Sequence, residues 1–226
     1  NVKKIITIHD YQWIYPEDPN ILTYNFNKNN FKQRNIDNFM QLIKICNKII
    51  FPSYNILKNY DLVVKLTDYT NNITVISHCD KFINHKSLVI PDIKKYINVA
   101  YVGNFIEYKG SKLFKYLFNN IKYFKEIEIR YHVFGYLSDD EKRTQIKDNN
   151  FIYHYNYEEE ELIDLLYKEN IHILTHLSLF EESYCYALTN SINSGIPILY
   201  INHGALTERL NKKDKYFPSS VNDLNE

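Results

Sequence analysis

The chain has 226 residues, 45% of them hydrophobic, enough for one large domain or two small ones. Lys plus Arg and Asp plus Glu each total 27, so the net charge is zero, and charge gives no case for nucleic acid as a partner. No apolar run approaches the ~20 residues of a membrane-spanning helix, and no signal-peptide pattern opens the chain.

The three cysteines, Cys46, Cys79 and Cys185, form no CxxC pair. So sparse a set suits a reducing cytoplasm, and each reads as a small buried hydrophobe. The Asn-rich block Asn25–Asn35 reads as a polar loop. There are only 5 glycines, so each one kept points to a backbone requirement.

In chain order, Lys4–Ile8 predicts a short buried strand, and apolar spacing over Ile36–Cys46 predicts a helix. Lys48–Phe51 is strand-like and stops at Pro52, after which Ser53 caps a short helix through Leu57. Ile73–Ile76 is a further strand. From Asp80 to Lys95 the periodicity lapses, which marks a linker. The expected division is residues 1–80, a linker at 81–97, and a second domain at 98–226. In that second part Val99–Val102 is a strand, Gly103–Gly110 a loop and Ser111–Phe124 a helix. Glu128–Phe134 and Phe151–Tyr155 are strands, and Glu158–Tyr167 is a helix with acidic residues at its positive end. Ile171–Thr175 is a strand, Ser183–Asn193 a helix and Ile196–Ile201 a strand. Such alternation implies parallel sheets with right-handed crossovers.

The densest motif is Leu179–Pro197, LFEESYCYALTNSINSGIP. A loop before a helix offers unpaired N–H groups and a positive helix end, both suited to phosphate. This segment resembles the donor-site signature of retaining glycosyltransferase family 4: a Glu, seven residues, a second Glu, then a helix ending in Gly-x-Pro. Glu182 fills the first position, Asn190 stands at the second, and Gly195 and Pro197 follow in register. Gly204–Arg209 (GALTER) looks like the stretch that follows this motif in some members. Gly103–Gly110 (GNFIEYKG) resembles the family's Gly-Arg-x-x-x-x-Lys-Gly loop, with Asn104 at the Arg position. Phe134-Gly135 resembles a strand end near the nucleotide. Ile8-His9-Asp10-Tyr11 resembles a cleft-facing strand end of the N-terminal domain.

The resemblance implies an α/β, GT-B-like fold of two Rossmann-like parallel-sheet domains, the N-terminal one incomplete. It implies a cytoplasmic enzyme that moves a sugar from a nucleotide-sugar donor to an acceptor with retention, the departing diphosphate helping to accept the acceptor's proton. The acceptor would be a glycan, a lipid-linked molecule or a protein, and no metal or other cofactor is expected. His9 and Glu182 are the implied catalytic residues. Gly103, Asn104, Lys109, Gly135, Ser183, Tyr184, Cys185 and Asn190 are the implied donor-binding residues, with Lys109 and the backbone N–H groups of Ser183–Cys185 on the diphosphate. Glu181 reads as a solvated helix-start carboxylate, and Tyr11 and Trp13 as either an acceptor wall or packing. Asn104 and Asn190 replace charged family positions, which fits a second reading, a non-catalytic nucleotide-sugar-binding or assembly module. A Rossmann oxidoreductase is disfavoured, because no GxGxxG follows any strand. His172 and His176 are four apart on a predicted strand, a spacing that suits metal only on a helix.

Overall fold

In the computed structural model the described residues are 2–14, 33–66, 69, 72–78, 92–93 and 95–210, with the backbone of 216–219. Most of the Asn-rich block, most of the predicted linker and Cys79 lie outside them. The chain divides into two compact units. Unit 1 comprises residues 1–79 with Phe180–Cys185 and His203–Arg209; unit 2 comprises 80–179 with Tyr186–Asn202 and 210–226.

Unit 1 has a parallel three-stranded sheet in the order β1 (Ile5–Thr7), β2 (Lys48–Phe51), β3 (Ile73–Val75). Helix α1 (Gln33–Lys44) buries Phe39 and Ile43. Helix α2 (Tyr54–Val64) buries Ile56 and Tyr60, and these four side chains join Ile49 and Phe51 in one core. Ser53 caps α2 as the sequence predicts, its hydroxyl accepting from Ile56 N–H at 3.3 Å. The helix runs past Leu57 to a left-handed cap at Lys65, well beyond the predicted end.

Unit 2 is built on β4 (Tyr96–Val102), β6 (Ile127–Phe134), β7 (Phe151–Tyr155), β8 (Ile173–His176), β9 (Ile198–Ile201) and β10 (Tyr216–Ser219), all parallel. The order is β10-β9-β8-β4-β6, with β7 on the outer edge of β6 beside the short antiparallel β5 (Tyr123–Phe124). From β4 the chain steps outward to β6 and β7, then returns to β8 on the opposite side of β4. That reversal is the doubly wound topology, and its switch point lies between β4 and β8.

Helix α3 (Ser111–Asn120) ends four residues before the predicted point. Its Ile121 carbonyl instead takes the hydroxyl of Tyr131 on β6 at 2.7 Å, and Tyr123–Phe124 turn back as β5. Helix α5 (Leu162–Lys168) starts after the acidic run: Glu158–Glu161 form a turn, so like charges are not stacked one helical turn apart. Helix α6 (Tyr186–Ser194) begins three residues later than predicted. Two short helices, α4 (Asp139–Arg143) and α7 (Gly204–Leu210), and the strands β5 and β10 were not predicted. The first had a legible signal, because Ser138 and Glu141 form a capping pattern in which Ser138 Oγ accepts from Glu141 N–H.

Candidate functional site

In unit 2 the carboxyl ends of β4, β6 and β8 meet at the switch point. Gly103 follows β4, Gly135 follows β6, and Leu177 follows β8. Gly135 has φ +139°, and a Cβ there would lie 2.0 Å from the Gly103 carbonyl oxygen. A Cβ on Gly110 (φ +92°) would lie 2.1 Å from the Leu177 carbonyl oxygen. Both glycines are therefore dictated by backbone meeting backbone. A Cβ on Gly103 would lie 3.5 Å from that of Ala187, on the first turn of α6, so the loop after β4 and the start of α6 stand side by side. A helix start presents donor N–H groups and a partial positive charge.

The Gly103–Gly110 loop is firmly built. Gly103 N–H donates to the Phe134 carbonyl and Phe105 N–H to the Tyr136 carbonyl, extending the β4–β6 pairing into the loop. Phe105 is fully buried among the rings of Tyr101, Phe114, Phe151 and Tyr153. The hydroxyl of Tyr101, itself 3% exposed, lies 2.8 Å from the Asn104 carbonyl and 2.9 Å from the Lys109 carbonyl, clamping both ends of the loop. Asn104 is left exposed and Lys109 half-buried. Asn190, on the second turn of α6, donates from Nδ2 to Glu159 Oε1 at 3.2 Å.

Unit 1 gathers a different set. His9 is exposed just beyond β1, its ring parallel to that of His78 at 5.1 Å. The Ser183 hydroxyl donates to the His9 carbonyl at 2.7 Å. Tyr184 is buried, meets His78 edge-on and donates its hydroxyl to the His78 carbonyl. Arg209 lies over the Tyr184 ring at 4.1 Å and donates to the carbonyls of Tyr184 and Cys185. Cys185 adopts φ +69° just before α6. These fixtures hold residues 183–185 out of the helix and explain its late start, so Ser183, Tyr184 and Cys185 precede its first turn rather than forming it.

Of the two adjacent carboxylates, Glu182 is 7% exposed. Glu181 is not the solvated group expected: it accepts from the side-chain amides of Asn55 at 2.9 Å and Asn59 at 2.6 Å. The same two amides reach the Tyr11 hydroxyl. Burial, above all, raises the Tyr11 phenol well beyond its usual range, so it stays protonated. Tyr11 packs against Tyr60 and Phe180, and Trp13 against Phe39, so both belong to the unit 1 core. Glu208 accepts from the backbone N–H groups of Tyr54, at 2.9 Å, and Asn55, which spends the start of α2 on protein contacts.

Residues 80–223 match the family described as glycosyl transferases group 1. The chain belongs to this family. No curated protein matches the sequence. Among solved structures, sucrose-phosphate synthase from Thermosynechococcus elongatus is 13% identical with a TM-score of 0.70, over 100% of this chain and 56% of that one. Anabaena Alr3699/HepE, solved with UDP and glucose, is 12% identical with a TM-score of 0.67, over 99% of this chain and 59% of that one. A mutant of TarM from S. aureus, solved with Fondaparinux, alpha-GlcNAc-glycerol and UDP, is 15% identical with a TM-score of 0.61, over 99% of this chain and 42% of that one. At such identities the likeness shows the fold, which is GT-B. The chain spans roughly half the length of these solved structures. Among the described residues no helix is long and apolar enough to cross a membrane.

For a group 1 glycosyl transferase, sequence reading missed three supporting residues. Tyr101 looks like any strand aromatic, and its clamp appears only once the loop folds back over it. Arg209 and Glu208 sit in the recognised GALTER stretch, yet they serve the Tyr184–Cys185 backbone and α2. His172 and His176, doubted as metal ligands, have structural partners: His172 Nδ1 accepts from Asn98 N–H, and His176 Nε2 pairs with Ser191 Oγ at 2.8 Å.

Proposed function

We propose that this chain is the nucleotide-sugar-binding part of a retaining, family 4 glycosyltransferase. It would move a sugar from a nucleotide-sugar donor to a glycan, lipid-linked or protein acceptor, without a metal ion. The observation that carries the reading is the switch point of unit 2. There a braced loop ending in Lys109 stands beside the start of α6, an arrangement suited to a diphosphate. To Lys109 and the first-turn N–H groups of α6 we assign the diphosphate, and to Gly103 and Gly135 the close backbone approach to the nucleotide. Asn104 and Asn190 contribute neutral hydrogen bonds where the family pattern has charge. To His9 and Glu182 we assign contacts with the transferred sugar, with Ser183, Tyr184 and Cys185 shaping the segment between Glu182 and α6.

In the reaction, the bond from the anomeric carbon to the diphosphate oxygen breaks as the acceptor oxygen bonds to that carbon on the same face. The acceptor proton passes to the departing diphosphate. Positive charge at Lys109 and the helix start stabilises that leaving group, which is the protein's main contribution. One observation favours the second reading, a binding module without turnover: the Asn190 amide is already engaged by Glu159. The test is a thermal-shift screen of UDP-, GDP-, TDP- and ADP-sugars, followed by a turnover assay of the full-length protein. Binding with transfer supports the enzyme, binding without transfer supports the module, and no binding refutes both.

A further inference from the structure

Unit 2 also holds a side-chain cluster that the donor reading leaves unused. His132 lies on β6, His154 on the neighbouring β7, and Glu169 caps the carboxyl end of α5. Each offers one donor atom, and the three donor atoms lie within 4.8 Å of one another. His132 Nδ1 faces His154 Nε2 at 2.9 Å, with the rings parallel and 5.2 Å apart. Phe134 stacks on His154 at 4.1 Å and fixes that ring's plane.

His132 is 2% exposed, and its Nε2 is buried with no hydrogen-bond partner. An ion bound between His132 Nδ1 and His154 Nε2 would take the place of their mutual hydrogen bond, while His132 Nε2 lies on the other edge of the ring. The Arg130 guanidinium lies 3.4 Å over the Tyr96 ring and its Nε donates to Asn150.

We propose that His132, His154 and Glu169 form a zinc site. Two imidazole nitrogens and one carboxylate suit this borderline ion, with a fourth position left for water. Its task would be structural: one ion would tie β6, β7 and the end of α5 together, apart from the transfer chemistry. The inference does not depend on the donor reading.

The test uses the full chain, stripped with a chelator and titrated with Zn²⁺ and Co²⁺. One ion should bind per chain, Tm should rise, and bound Co²⁺ should give the intense visible bands of a low-coordinate site. Because His132→Ala could unfold the sheet, the informative variants are His154→Ala and Glu169→Gln, with their folds checked by circular dichroism. Each should weaken Zn²⁺ binding by about tenfold or more, since even changes behind the ligands cost that much. His203→Ala, in unit 1, should bind as the parent does. Failure to bind one equivalent would overturn the proposal, as would binding unchanged in both ligand variants or lost in His203→Ala.

Discussion

Asn190 is the position where family pattern and structure pull in opposite directions. The pattern has a carboxylate there, so Asn190→Glu should tighten nucleotide binding by turning a neutral contact into a charged one, worth about 1 kcal/mol more. The structure sets a cost against that gain. Asn190 Nδ2 lies 3.2 Å from Glu159 Oε1, so a new carboxylate would face an existing one. Both groups reach solvent, so the water limit applies: unit charges at that separation repel by about 1.3 kcal/mol, less as the side chains swing apart. Gain and cost nearly cancel, and Asn190→Glu alone should leave affinity within about threefold of the parent. Removing the opposing charge should release the gain, so Asn190→Glu with Glu159→Gln should bind about fivefold more tightly than Glu159→Gln alone. The assay is calorimetric titration of the four proteins with the best nucleotide from the screen. Tighter binding by Asn190→Glu alone would show that Glu159 does not oppose the site. No gain in the double variant over Glu159→Gln would show that position 190 does not reach the nucleotide.

Other expectations follow from the same geometry. Glu208→Ala should cost about 1 kcal/mol and lower Tm by a few degrees, because the first N–H groups of α2 lose their acceptor; an unchanged melting curve would refute the cap. Gly135→Ala should abolish soluble expression, since its Cβ would fall 2.0 Å from a carbonyl oxygen in a left-handed backbone; a stable, well-folded variant would contradict that packing. Tyr101→Phe should lose about 1 kcal/mol and loosen the Gly103–Gly110 loop, seen as faster amide exchange there and weaker nucleotide binding. Lys109→Met should bind the nucleotide about tenfold or more weakly, as a lost charged contact requires; equal affinity in calorimetric titration would remove Lys109 from the site.

The alternation of strands and helices was legible because most of the predicted strands of unit 2 are short apolar runs between polar breaks. All five glycines have positive φ, as their scarcity suggested. Boundaries were less legible where partners distant in sequence decide them. α3 stops where Tyr131 takes its last carbonyl, and α6 waits for residues 183–185 to be fixed by His9, His78 and Arg209.

What the sequence determined by itself was the set of positions under backbone constraint, together with the family signature threaded through them. Periodicity and glycine placement act over a few residues and survive in any context. What only the tertiary structure decided was which side chain answers which. It turned Glu181 toward Asn55 and Asn59, set Glu159 against Asn190 across 31 residues of chain, and brought His132, His154 and Glu169 together. Such pairings depend on how strands return past one another in the sheet. No local pattern records that geometry, because hydrogen bonds and like-charge contacts are set by distance in space and not by spacing along the chain.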